Sequence, residues 1–242
     1  MTQDILYEII ELKMKTKHLH SWNVSPKEAA KIQRNLACKI SLNWKNFSPK
    51  FIAGADISFS KGTNVVYAGV IILSFPSLEL IGEYSIKGLL KFPYVPGLLS
   101  FREAPILLEL FSKIQMTPDL IFFDGQGLAH PRRFGLACHM GLLLNCSTIG
   151  CAKNKLTGYY KEPREKKGSV NSLIDENGDT LGTVLRSRDS CKPIFVSPGY
   201  KIDFKNAAKY TLACCNKYRI PEPIRLAHLL VNRIRIGNKN SL

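Results

Sequence analysis

Phe51-Ile-Ala-Gly-Ala-Asp56-Ile-Ser-Phe59 and Asp119-Leu-Ile-Phe-Phe-Asp124-Gly-Gln-Gly127 are the stretches on which the fold turns. Each is a β-like apolar run carrying a carboxylate, and an apolar strand has little reason to carry one unless something cationic meets it. In the first, alternation sends Ile52, Gly54 and Asp56 to one side and Ala53, Ala55 and Ile57 to the other. The small residues beside the acid leave room for an ion or a backbone. In the second, Asp124 ends the run and meets Gly125-Gln126-Gly127. Its carboxylate is expected at the carboxyl end of a buried strand, where α/β sheets gather ligands. A third acid, Glu103 in Phe101-Arg-Glu103-Ala-Pro105, stands near a helix start. If such groups converge to about 4 Å, each pair repels by roughly 1 to 4 kcal/mol at effective dielectrics between 80 and 20, a cost that a divalent cation removes. Taken singly, each acid reads more readily as a cap, a turn or an ion-pair residue.

Working outward, three strands are predicted near 51–60, 64–75 and 78–86, an antiparallel meander parted by Lys61-Gly62 and Pro76-Ser77. Ser25-Pro26-Lys27-Glu28 combines an N-cap, a first-turn proline and a capping-box glutamate. It predicts a helix to about residue 44, with Ala29, Ile32, Leu36, Ile40 and Trp44 at helical spacing. A helix over 97–115, a strand over 119–124, a helix over 134–145 and a strand over 147–152 follow. Residues 157–178 are polar and rich in Lys, Glu and Gly, which predicts a mobile excursion. Strands near 180–187 and 193–197, a helix capped by Asp203 running to about residue 218, and a last helix over 221–236 complete the chain. A meander followed by alternation implies one α/β domain over residues 1–242, a mixed sheet flanked by helices.

Lys plus Arg number 34 against 19 Asp plus Glu, a formal net charge of +15 across 242 residues. Such an excess points to a polyanion, nucleic acid first, with a solubilising surface as the plain alternative. A hydrophobic content of 45% argues against disorder, and no apolar run reaches membrane-spanning length. The seven cysteines form no Cys-x-x-Cys pair and have no histidine at zinc-ligand spacing. They are expected as reduced core residues. The opening Met-Thr-Gln-Asp-Ile-Leu-Tyr-Glu has no basic region followed by an apolar stretch, so a soluble, cytoplasmic protein with no membrane partner is expected.

Two longer segments are more specific. Pro93-Tyr94-Val-Pro-Gly97-Leu-Leu-Ser-Phe-Arg-Glu103 and Asp124-Gly-Gln-Gly127-Leu-Ala-His130-Pro-Arg-Arg-Phe-Gly-Leu-Ala-Cys-His139 resemble the signature segments of endonuclease V, the deoxyinosine 3′ endonuclease family. Ile149-Gly-Cys-Ala-Lys153 and Tyr218-Arg-Ile-Pro-Glu-Pro-Ile-Arg-Leu-Ala-His228 resemble later family segments, in the right order. The resemblance implies a ribonuclease H-like fold and a Mg²⁺-dependent DNA repair endonuclease, with Mn²⁺ able to substitute. It implies recognition of hypoxanthine and cleavage of the second phosphodiester bond on its 3′ side. By position it makes Asp56, Glu103 and Asp124 the metal-binding acids, Lys153 and His228 the other catalytic residues, and Tyr94 a wedge at the lesion. Gly97, Gly125, Gly127 and His130 are then expected to contact the lesion or its strand. The implied partner is inosine-containing nucleic acid, DNA ahead of RNA, bound by a monomer.

The residues suit these roles on their own chemistry. Few, hard oxygen ligands fit Mg²⁺. A lysine at a strand end adds positive charge where a phosphoryl transition state forms, though in so basic a chain it is also one surface lysine among many. His228 follows Ile224 by four residues, on a helical face with Ala227, Val231 and Ile234. That leaves phosphate positioning, proton transfer, carboxylate orientation and a plain core histidine open. Tyr94, stiffened by Pro93 and Pro96, can fill the gap left by an extruded nucleotide. The rival functions are an inosine-specific endoribonuclease and a non-catalytic nucleic-acid-binding module.

Overall fold

A computed structural model describes residues 14–45 and 47–237; the amino-terminal stretch read above for a leader lies outside the described residues. Among the described residues, eight strands form one mixed sheet in the order β3-β2-β1-β4-β5-β8-β7-β6. β1 (Phe51–Phe59), β2 (Val65–Ser74) and β3 (Leu80–Leu89) make the expected antiparallel meander. β4 (Leu120–Asp124) and β5 (Ser147–Ala152) then run parallel to β1 at the centre. Both read as short apolar runs because helices cover both faces there. β8 (Ile194–Tyr200), β7 (Thr180–Leu185) and β6 (Val170–Ile174) finish the sheet antiparallel.

The alternation predicted for β1 sorts the core into two halves. Ala53 and Ala55 face a cluster with Ala104, Leu107, Leu136 and Met140 from α2 (Leu99–Phe111) and α3 (Leu136–Leu144). Ile52 faces the other cluster, with Ala207, Tyr210, Ile224 and Leu230 from α4 (Phe204–Ala213) and α5 (Glu222–Gly237). α1 (Pro26–Ala37) lies outside α3, where Leu36 meets Cys138 and Leu142. All seven cysteines are free and most are buried, as expected of small core residues.

Three elements differ from their sequence prediction; the simplest case is α4, capped by Asp203 as expected but ending at Ala213 and not near residue 218. α1 carries both halves of its capping box, yet it stops at Ala37 and not near residue 44. Beyond it the Ser41 carbonyl accepts a hydrogen bond from the Lys201 amide at 2.6 Å. Ile40 and Leu42 pack against the cluster of Leu36, Cys138 and Leu142, and Trp44 stacks on Phe47 and touches Tyr210 of α4. The apolar residues that extend the helical spacing are spent on tertiary contacts. The excursion over 157–178 is likewise not a free loop, since β6 lies within it. Arg186, 5% exposed, donates to the Arg164 carbonyl at 3.2 Å, the Pro163 carbonyl at 2.8 Å and Glu162 at 2.8 Å. β6 escapes a polarity reading because an edge strand exposes much of its surface to water.

Candidate active site

Ala55 of β1 pairs with Phe123 of β4, so Asp56 and Asp124, the next residue on each, stand at the same end of two adjacent parallel strands. Asp124 in turn pairs with Cys151 on β5. Two residues further, on the same face, Lys153 reaches back and donates from Nζ to Asp124 Oδ2 at 2.9 Å. Glu103 comes from the first half of α2 and is only 8% exposed. Burial, then the charges of Asp56 and Asp124, push its carboxyl up to about 8, against the weaker pull of Arg102. Asp56 is raised as well, by burial first and by Asp124 second. The three acids therefore share one electrostatic environment.

α5 completes the cluster from the Ile52 face. A Cβ at Gly54 would lie 2.1 Å from the Pro223 carbonyl group, so the gap beside Asp56 is filled by the backbone of the first turn of α5. That contact brings His228 to Asp56, with Nδ1 to Oδ2 at 2.7 Å. Asn232, one turn on, bonds from Nδ2 to His228 Nε2 at 3.0 Å. Its Oδ1 accepts from Ser58 Oγ at 3.1 Å and Arg235 Nη2 at 3.2 Å, which fixes the amide orientation. Arg219 donates to the Lys153 carbonyl at 2.9 Å and the Pro193 carbonyl at 3.0 Å, holding the loop that presents Lys153. Among the described residues, no three His, Cys, Asp or Glu side chains are arranged to hold a metal ion as they stand. Asp56 is turned to His228 and Asp124 to Lys153.

Next to the acids the loops after β4 and β5 wall a cavity of about 290 Å³ together with Tyr94, Gly97, Gly125, Gln126, His130 and Leu156. Tyr94 is 72% exposed at its mouth. Gly97 has φ +78°, and its carbonyl accepts from Gln33 at 3.1 Å and Arg132 at 2.7 Å. His130 Nδ1 accepts from the Arg132 amide at 3.1 Å, so Nε2 carries the proton and donates to Gly97 O at 2.9 Å. Burial, partly offset by that bond, holds the ring down to about 4, hence neutral. Both nitrogens of His130 are thus engaged in bracing the Gly97 turn. Gly125 lines the cavity, while Gly127 packs against Pro198 outside it, with its amide donating to Ser197 Oγ at 2.8 Å. Sequence reading missed Gln33, Gln126, Arg219 and Asn232. Of these only Asn232 left a trace, its spacing of four residues from His228.

A sequence model of endonuclease V matches residues 34–229. The chain is 44% identical over 218 residues to the endonuclease V of Dehalococcoides mccartyi, covering 90% of this chain and 97% of that one. The chain belongs to the endonuclease V family. The crystal structure of endonuclease V from Streptomyces avermitilis superposes with a TM-score of 0.86 at 37% identity, covering 94% of this chain and 99% of that one. Endonuclease V from Ciona intestinalis, solved with a 24mer DNA containing an inosine followed by a ribo-adenosine, gives 0.75 at 29% identity over 87% and 98%. The ribonuclease H-like fold implied by the signature segments is the fold of endonuclease V. The chain is a nuclease, and endonuclease V nucleases are metal-dependent and bind nucleic acid. Among the described residues no helix is long and apolar enough to cross a membrane.

Proposed function

We propose that this chain is a Mg²⁺-dependent repair endonuclease that recognises hypoxanthine in DNA, ahead of inosine in RNA, and cuts the second phosphodiester bond on its 3′ side. The observation that carries this reading is the convergence of Asp56, Glu103 and Asp124 beside a cavity with an exposed aromatic at its mouth. The relative solved with inosine-containing DNA supports the choice of base.

The donor set fits a hard divalent cation. Three carboxylates crowd one another, two of them pushed toward protonation, and a cation relieves both burdens. Asp56, Glu103 and Asp124 would hold it, with Mn²⁺ as a substitute. When bound, the ion supplies Lewis acidity and lowers the pKa of an attacking water. Lys153 adds positive charge where the phosphate sits, and His228 orients Asp56. Tyr94 fills the stack when the base is turned into the cavity, whose wall is mostly apolar with few polar groups.

All these residues come from one chain, so a monomer suffices. Seven free thiols suit a reducing, cytoplasmic setting. The direct test is a labelled deoxyinosine duplex incubated with enzyme and Mg²⁺, beside the matched inosine RNA. A cut immediately 3′ of the lesion's 3′ neighbour is expected, faster in DNA; uncut DNA at ample enzyme would overturn the reading.

A further inference from the structure

Beyond the lesion cavity lies a second, open cleft of about 450 Å³ that shares His130, Lys155 and Leu156 with it. Its most prominent side chain is Tyr159, 65% exposed, next to Leu156 at 48%. Large apolar groups that remain so exposed beside a functional cavity mark a place where something else docks.

Tyr159 is presented rigidly. Its amide and carbonyl bridge Ile174 at the end of β6, at 2.7 and 2.9 Å. Gly158 precedes it at φ +85°, where a Cβ would lie 2.6 Å from the Ile174 carbonyl oxygen, so only glycine gives the turn. Tyr160 anchors the other side, edge-on against Phe195 at 5.3 Å. Lys155 places Nζ 5.8 Å from the Tyr159 ring and 5.9 Å from the Tyr160 ring, and donates to the Gly158 carbonyl at 2.8 Å. A fixed, exposed ring with an ammonium at its side is the arrangement on which an unpaired base stacks.

Charge selects which part of a nucleotide enters. The far wall carries Asp175, Glu176 and, beyond them, Asp179. Arg133 pairs with Asp175 and Asp179, while Glu176 stays exposed. A phosphate meets repulsion on that side, and a neutral base does not. The backbone is therefore kept on the Lys155 side, with the base turned toward Tyr159.

We propose that Tyr159, flanked by Lys155, is a second nucleobase subsite on which the base next to the extruded one stacks. This rests on the reading of the neighbouring cavity as the place of the extruded base. The test is fluorescence anisotropy with the full chain, a labelled single-stranded inosine oligonucleotide and no divalent cation, comparing wild type, Tyr159→Ala and Tyr159→Phe. Tyr159→Ala should weaken binding about 5- to 100-fold, and Tyr159→Phe should stay within about twofold of wild type. The salt dependence should keep its slope, since no phosphate contact is removed. With 2-aminopurine placed on either side of inosine, one position should be quenched by wild type and not by Tyr159→Ala. Equal affinity and equal emission for Tyr159→Ala and wild type, with matching thermal midpoints, would overturn the subsite. An adenosine strand separates the two readings. If wild type binds it as tightly as the inosine strand, the base recognition fails, while loss of affinity in Tyr159→Ala on either strand still establishes the platform.

Discussion

His228 Nδ1 stands 2.7 Å from Asp56 Oδ2, and the direction of its proton is set from behind. Asn232 presents its Nδ2 to Nε2 because its oxygen is already taken by Ser58 and Arg235. An amide nitrogen only donates, so Nε2 accepts and the Nδ1 proton points at the carboxylate. Of the roles open to His228 from sequence, this geometry favours carboxylate orientation. Asn232→Ala is expected to lower turnover about 10-fold, in line with loss of a partner that orients a ligand-bound histidine. Asn232→Gln should restore part of it. Nitrogen NMR of the imidazole checks the cause, because in the alanine variant the Nε2 signal should shift as its amide donor is lost, while Nδ1 keeps its proton toward Asp56. An unchanged Nε2 signal would remove Asn232 as the partner that orients His228.

Asp124→Asn separates binding from cleavage. The substitution keeps the shape of the side chain at the end of β4 while removing the charge that faces Lys153 and Asp56. Cleavage of inosine DNA should drop about 10³-fold or more if Asp124 holds the metal as proposed. Affinity without a cation should hold or rise slightly, since one negative charge near the phosphates is gone. Turnover equal to wild type would rule out the role assigned to Asp124.

Much of this site was legible because strand chemistry is local. Asp56 and Asp124 announce themselves as carboxylates on apolar runs, and the period of two in β1 predicts which side Asp56 takes. Glu103 and His228 needed the signature segments, since an acid near a helix start and a histidine on an apolar face are ordinary features. Nothing in the sequence showed that both nitrogens of His130 are committed to a turn, or that Arg219 holds the carbonyl of Lys153. Those depend on loops brought together from distant positions. The early end of α1 was illegible for a related reason. Ile40 and Trp44 sit at helical spacing, but tertiary contacts, with the cluster around Cys138 and Leu142 for Ile40 and with Tyr210 for Trp44, decide their conformation.

The raised carboxyl of Glu103 gives a pH dependence with a definite sign. In the folded, metal-free protein it holds its proton up to about 8, whereas an unfolded glutamate ionises near 4.3. The native state then binds the extra proton, so stability falls as pH rises through that range. His20, His130 and His139, all lowered by burial, act in the opposite direction below about 6.5, where an unfolded histidine takes up its proton. The window from about 6.5 to about 8 therefore isolates the carboxyls. Thermal melts in chelator should show a midpoint that declines across that window, and Glu103→Gln should flatten the decline. Mg²⁺ should reverse it, because a cation requires the ionised form and its binding releases protons. A decline of the same size in Glu103→Gln would contradict the coupling.

Tyr94 is so exposed that removing its ring should leave the fold intact. Its proposed work is to replace a base in the stack, so the variant should suffer more on a duplex than on a single strand, where there is no stack to reseal. Tyr94→Ala is expected to lose about 10-fold or more in kcat/KM on duplex inosine DNA, from the stacking energy of one base on an aromatic ring. The loss on the single strand should be smaller. Equal losses on both substrates would argue that Tyr94 contacts the lesion without acting as a wedge.

Gly54 links the sheet to α5, the helix that carries His228. It lies on β1 two residues before Asp56, and the backbone of Pro223 in α5 passes where its side chain would be. Gly54→Ala forces two stretches of backbone apart, and neither is the flexible end of a side chain that can swing away. α5 must shift outward, which lengthens the His228 to Asp56 contact four residues along from Ile224. Overpacking of this kind costs roughly 1 to 3 kcal/mol, so a lower melting temperature is expected. The more telling measurement is activity at a temperature where the variant is still folded. If α5 positions His228 as described, turnover falls there too, and substrate affinity without a cation changes little. A variant that melts early yet cuts at the wild-type rate when folded would show that the placement of α5 matters to stability alone.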